Sequence, residues 1–144
     1  MISALERALK GHIVRKIYSR ELRSLGRQLD ALGAEVGPPK PLIEYEFALA
    51  VPIRIDSSQL RLVLWFAGFH FPYLTVDLLR PGEDPIEVQS FWWGDPIRFD
   101  PIGAVSGIQV PWQNRRAPSV GKILDIVEAG GDPYKELLKE GSHA

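Results

Sequence analysis

Ile43-Glu44-Tyr45-Glu46-Phe47-Ala48-Leu49-Ala50-Val51-Pro52-Ile53-Arg54-Ile55 is the stretch that decides the fold class. Ile43, Tyr45, Phe47, Leu49, Val51, Ile53 and Ile55 share one parity, and Glu44, Glu46, Ala48, Ala50, Pro52 and Arg54 share the other. A period of two is that of a strand with one buried and one solvated face, so residues 42–55 are expected to form one. Pro52 cannot donate to a ladder, which predicts a sheet edge or a strand end there.

Downstream, Asp56-Ser57-Ser58 reads as a turn and residues 60–66 as a second strand. Gly68 breaks it, and residues 69–79 form a third, bent at Pro72. These apolar runs suit central strands covered on both faces. After the turn Arg80-Pro81-Gly82-Glu83-Asp84-Pro85, residues 86–93 give a fourth, with Glu87 and Gln89 alternating against Ile86 and Val88. The connections are too short for helical crossovers, so the sheet is expected to be an antiparallel meander.

Residues 1–36 contain no proline, and Leu5, Leu9, Ile13, Ile17, Leu22, Leu25, Leu29 and Leu32 recur at helical spacings. Gly11 and Gly26 are candidate breaks, and Gly33 with Gly37-Pro38-Pro39 is a stop signal. Residues 94–118 are rich in Gly and Pro and read as a long irregular loop. Ser119 then caps a helix whose inner face is Val120, Ile123, Leu124 and Val127, and Gly130-Gly131 ends it. Asp132-Pro133 starts a second one. The expectation is therefore one α+β domain over 1–144: a helical, basic 1–36, an antiparallel sheet over 42–93, a loop over 94–118 and helices over 119–140.

The 144 residues carry 45% hydrophobic and 24% charged side chains and a net charge of −1, an ordinary globular balance. No cysteine is present, which excludes disulfides, thiolate nucleophiles and thiolate metal sites. No apolar run approaches the ~20 residues of a membrane span, and no signal-peptide core opens the chain, so a cytoplasmic location is expected. There is no Gly-x-x-x-x-Gly-Lys, Gly-x-Gly-x-x-Gly or Gly-x-Ser-x-Gly, and no histidine pair at ligand spacing. No cofactor is called for.

Three constellations remain. The first 27 residues hold Arg7, Lys10, Arg15, Lys16, Arg20, Arg23 and Arg27 against Glu6 and Glu21, an excess of +5. Such a helix docks nucleic acid, an anionic membrane or an acidic partner, or is the solvated face of a packed helix. Trp92 and Trp93 point to opposite faces of a strand, and Trp112 lies in the Pro-rich loop near Arg115 and Arg116. Trp93 and Trp112 are candidate partner anchors, unless another element covers them. Asp77, Glu83, Asp84, Glu87, Asp95, Asp100 and His70 are candidates for acid–base work. Asp77 interrupts an apolar strand; a wetter sheet face is the reading preferred for it.

Trp112, Ser119-Val120, Ile123-Leu124-Asp125-Ile126 and Asp132-Pro133 resemble the end of a ubiquitin-conjugating (UBC) domain. In that family a Trp follows the active-site loop, then come a helix and a turn with Asp-Pro. The order helix, meander, helix is similar too. The family's cysteine would lie near Gly107-Ile108-Gln109, and none is there. The resemblance therefore implies an inactive variant that binds ubiquitin-like proteins or partner enzymes. The family's basic first helix, which docks the activating enzyme, would match residues 15–27. Three functional readings stand: a non-catalytic protein-interaction domain, a nucleic-acid binder using the basic helix, and a small enzyme with carboxylate or histidine chemistry. A homo-oligomer through a strand edge or helix face is also open.

Overall fold

The computed structural model describes residues 2–42, 48–65, 73–107, 120–133, 135 and 136. The expected beginning of the first strand, His70, Trp112, Arg115, Arg116, the Ser119 cap and the end of the last expected helix lie outside them. Within the described residues the chain is α+β, with an antiparallel sheet and five helices. None of those helices is long and apolar enough to cross a membrane.

The N-terminal region is three helices, not one: α1 (Ala4–Ala8), α2 (Val14–Ile17) and α3 (Ser19–Ala31). Gly11, at φ +89°, makes the break that its sequence position suggested. The break resets the buried face. Ile13 and Leu32, expected inside, are exposed, while Val14 and Tyr18 are buried. Ser3 caps α1 in a capping box with Glu6 and is itself buried. It can be, because α1 crosses α3 at Gly26: a Cβ there would stand 2.1 Å from the Ser3 hydroxyl. Gly26 is thus a crossing point rather than a helix break. Helix α3 ends in a Schellman turn, with Ala34 N–H donating to Leu29 C=O and Gly33 N–H to Asp30 C=O.

The strands are β1 (Glu35–Val36), β2 (Lys40–Pro41), β3 (Ala48–Ile55), β4 (Ser58–Trp65), β5 (Tyr73–Leu79) and β6 (Ile86–Trp92). Their order is β1 and β2 beside β3, then β4, β5 and β6. Residues 35–36, expected in the helical region, belong to the sheet. The chain bows out at Gly37-Pro38-Pro39 between β1 and β2, directly beside Pro52. Proline is tolerated there because its missing N–H faces the gap, where its carbonyl accepts the Gly37 N–H at 2.9 Å. Gly37 leaves room for this approach; a Cβ would meet the Pro52 ring at 2.9 Å.

One face of the sheet carries Leu49, Val51, Ile53, Leu60, Leu62, Leu64, Leu74 and Val76, all in the core cluster with α1, α2 and α3. The opposite face is dry as well: on β3 this departs from the alternation, while on β4 and β5 it is what strands covered on both faces require. Ala48, Ala50, Val63, Tyr73 and Thr75 on it are all buried.

The expected irregular loop contains a helix, α4 (Pro101–Ser106). Asp100 caps it by accepting the Ile102 N–H, Pro101 stands at its first turn, and Gly107 closes it at φ +77°. Helix α5 (Val120–Glu128) follows and ends at Gly130, φ +81°. Asp132 then accepts the Lys135 N–H with its carboxylate.

Tyr18, at the joint of α2 and α3, is 0% exposed. Its hydroxyl donates to the Tyr73 carbonyl at 2.8 Å, with the Trp65 carbonyl also in contact. Tyr18→Phe deletes that donor and keeps the ring, leaving buried carbonyls without it. The expected cost is about 1–3 kcal/mol. Urea unfolding should show a lower midpoint with an unchanged m-value; an unchanged midpoint would mean the bond contributes nothing.

Candidate functional site

Segment 17–21 joins the helices to the sheet, and it decides where Trp93 sits. Ile17 ends α2 with a carbonyl that accepts the Trp93 indole N–H at 2.9 Å. Glu21, buried on the first turn of α3, accepts the Gly94 N–H at 3.1 Å. Trp93 is consequently 6% exposed, in the core under the helices, and presents no surface to a partner. Between the two readings of Trp93, the structure shows the covered face. Trp92 turns the other way and packs against Tyr73 (ring centroids 5.8 Å), which stacks on Trp65 (5.7 Å). These three rings line one end of the sheet's second face.

That face also holds the carboxylate singled out from sequence. Asp77 is 8% exposed, so it is not on a wet face. Its register partner in β4 is Arg61, whose Nε donates to Asp77 Oδ2 at 2.7 Å. Glu87 is Asp77's partner in β6. A cleft of about 350 Å³ opens there between Arg61, Trp65, Thr75, Asp77 and Glu87, with Leu42 and Pro85 at its rim. The Trp65 indole N–H donates to Thr75 Oγ1 at 3.0 Å, which orients the ring. Sequence reasoning found Asp77 and Glu87 but missed Arg61. The signal was present: Arg61 and Asp77 are the lone charges within two apolar strands, and a buried charge demands a partner.

The remaining acidic candidates do not join this cluster. Glu83 and Asp84 are exposed in the β5–β6 turn, Asp95 is half-buried after β6, and Asp100 is spent on capping α4. No group of three or more His, Cys, Asp or Glu side chains suited to a metal ion occurs among the described residues.

The basic candidates separate as well. Arg15 is half-buried on α2. Arg20, Arg23 and Arg27 are exposed on α3 at spacings of three and four, so they form one stripe opposite Leu22, Leu25 and Leu29. Arg20 pairs with Asp132 at 3.4 Å, both half-exposed. Arg23 and Arg27 make no ion pair among the described residues.

Two glutamines that no sequence reading selected shape the edge of β6. Gln28 on α3 accepts the Phe99 N–H at 2.8 Å and donates to the Ile97 carbonyl at 3.0 Å. Gln89 on β6 accepts the Asp100 N–H at 3.2 Å and donates to its carbonyl. Side-chain amides thus hold residues 97–100 where a ladder would otherwise do so.

Arg61→Met strands the Asp77 carboxylate in the cleft and is expected to cost about 3 kcal/mol, whereas Arg61→Met/Asp77→Leu should cost less than the single change. A thermodynamic cycle by urea denaturation checks this, and additive costs would show that the two groups do not interact. Trp93→Ala opens the core and is expected to cost about 3–5 kcal/mol. Its measured stability must therefore be known before any binding loss in that variant is assigned to an interface.

No family model matches the chain, and no solved structure matches it. Over 67 residues it is 31% identical to the ubiquinone biosynthesis O-methyltransferase of Aromatoleum aromaticum. The match takes in 42% of this chain and 29% of that protein, so the chain spans under a third of the length of the relative it matches.

Proposed function

We propose that this chain is a protein-interaction domain that docks an acidic partner through the exposed face of α3. The observation that carries this reading is the stripe Arg20, Arg23 and Arg27, of which Arg23 and Arg27 make no ion pair among the described residues. Exposed arginines contribute little to the stability of a fold on their own. Against a complementary carboxylate surface they steer encounter and fix register, and Arg in particular makes paired hydrogen bonds. The apolar side of α3 is fully used by the core, so this polar side is what the helix has to offer.

A nucleic-acid reading is less well supported. Tight binding to a phosphate backbone draws on about 6–10 phosphate contacts, and the stripe is three arginines long, one of them shared with Asp132. The net charge of −1 supplies no general attraction to a polyanion either. The resemblance to the UBC family adds to the protein reading, because its basic first helix is a docking surface and its cysteine-less members act by binding. On that reading β3 to β6 correspond to the family's four-stranded meander. The local match to a methyltransferase covers too little of that enzyme to bring its reaction here.

Arg23→Glu/Arg27→Glu should leave the thermal midpoint unchanged, because both side chains are solvated. The same variant should lose a specific protein captured by the tagged wild type from the source organism's lysate after nuclease treatment. Equal capture by both would remove α3 from the interface. Salt-dependent binding of a single-stranded oligonucleotide, lost in the variant, would replace the protein partner with a nucleic acid.

A further inference from the structure

Among the described residues β6 is the last strand of the sheet, and the alternation of its backbone groups identifies which of them lack a neighbour there. Leu42 N–H donates to Ala48 C=O and Gly37 N–H to Pro52 C=O, so even-numbered residues of β3 turn their main-chain groups toward β1 and β2. Odd-numbered ones turn toward β4. The registers carry the alternation across: residues 59, 61, 63 and 65 face β5, residues 74 and 76 face β6, and Gln89 and Phe91 face β5. Ser90 and Trp92 therefore turn their N–H and C=O outward. The Trp92 carbonyl is taken by the Asp95 N–H at 3.1 Å. The outward N–H and C=O of Ser90 have no partner among the described residues. Val88 stands next to them as the extra residue of a β-bulge, since Val76 pairs with Gln89 and Asp77 with Glu87.

Beside this edge lies a cleft of about 310 Å³, between Val88, Ser90 and Phe91 on one side and Arg98, Asp100 and Gly103 on the other. Its far wall is fixed by Gln28 and Gln89, which hold residues 97–100 near the sheet without closing a ladder onto β6. The wall is pinned, and behind it Ser90 keeps its outward main-chain groups without a partner among the described residues.

We infer that this edge receives a partner polypeptide in extended conformation, which pairs with Ser90 and places an apolar side chain in the cleft. An extended main chain is the ligand that offers an acceptor and a donor at the spacing of one strand residue. Phe91, half-buried, supplies the apolar contact with the buried Val88 behind it, and Arg98, exposed at the mouth, meets an acidic group flanking it. The bulge at Val88 interrupts the straight edge that a second copy would need for strand-to-strand pairing. This surface is separate from the arginine stripe, and its proposal does not depend on that one.

The test is selection of short random peptides displayed on phage against the whole chain, followed by binding to variants. Ser90→Pro deletes the outward N–H and puts a ring in its place without taking a bond from β5, because position 90 gives none to it, and Ser90→Ala keeps the N–H. Selected peptides should carry an apolar residue and bind Ser90→Ala and Arg23→Glu/Arg27→Glu like the wild type. They should bind Ser90→Pro at least tenfold more weakly, a loss of about 1.4 kcal/mol. Main-chain N-methylation at alternate peptide positions should cause the same loss, which keeps the test intact if Ser90→Pro does not fold. In hydrogen exchange the Ser90 amide should be unprotected in the free chain and protected with peptide. No enriched peptide, enriched peptides indifferent to Ser90→Pro and to N-methylation, a protected Ser90 amide in the free monomer, or a dimer abolished by Ser90→Pro would each overturn it.

Discussion

Segment 17–21 is the constraint on which the rest of this structure depends. In five residues it presents a carbonyl (Ile17), a hydroxyl (Tyr18) and a carboxylate (Glu21) to the sheet. All three reach the same end of it: the carbonyls closing β4 and opening β5, and the corner after β6. Apolar packing alone would let the helical layer slide, because leucine-on-leucine contact is not directional. Buried hydrogen bonds are directional and costly to leave unmade, so they set the register of helix on sheet. The break at Gly11 matters for the same reason. It releases α2 from the phase of α1, so that Ile17 and Tyr18 can both point inward.

From that pin the functional surfaces follow. With Leu22, Leu25 and Leu29 committed to the core, the 3.6-residue period leaves Arg20, Arg23 and Arg27 outside. With Trp93 drawn under the helices, Trp92 must turn to the opposite face, where it extends the rings of Tyr73 and Trp65. The chain leaving β6 is turned at Gly94 and held to α3 by Glu21 and Gln28. It therefore runs alongside β6 rather than pairing with it, which leaves the outward main-chain groups of Ser90 without a neighbour among the described residues.

Periodicity read β3 well, because alternation is imposed by backbone geometry and needs no tertiary knowledge, but it gave no sign of β1 and β2. It was misleading about the second face. Ala48 and Ala50 counted as solvated because they alternated with large residues, yet both are buried, as are Val63 and Thr75 on the neighbouring strands. Whether a face is wet depends on what lies over it, and that is not local information. The helix at Pro101–Ser106 was legible and overlooked: Asp100-Pro101 is the same cap-and-proline signal that was recognised at Asp132-Pro133. It was masked by the Gly and Pro content around it. The arginine stripe could be read by spacing alone. The Arg61–Asp77 pair could be read only in half, since pairing across strands requires the register.

The division of labour between the two polar clusters is the last step. Arg61 and Asp77 meet at 2.7 Å in a cleft that excludes much of the solvent, so each uses the other to offset the cost of leaving water. Arg23 and Arg27 incur no such cost and have no such partner among the described residues. A charge already satisfied inside its own fold has little left to give a ligand, while one held in solvent on a rigid helix can be desolvated against a complementary surface. Conservation of charge type should therefore mean different things at the two places. At 61 and 77 a paired replacement by apolar residues preserves the molecule. At 23 and 27 the same replacement leaves the fold intact and removes what the helix displays.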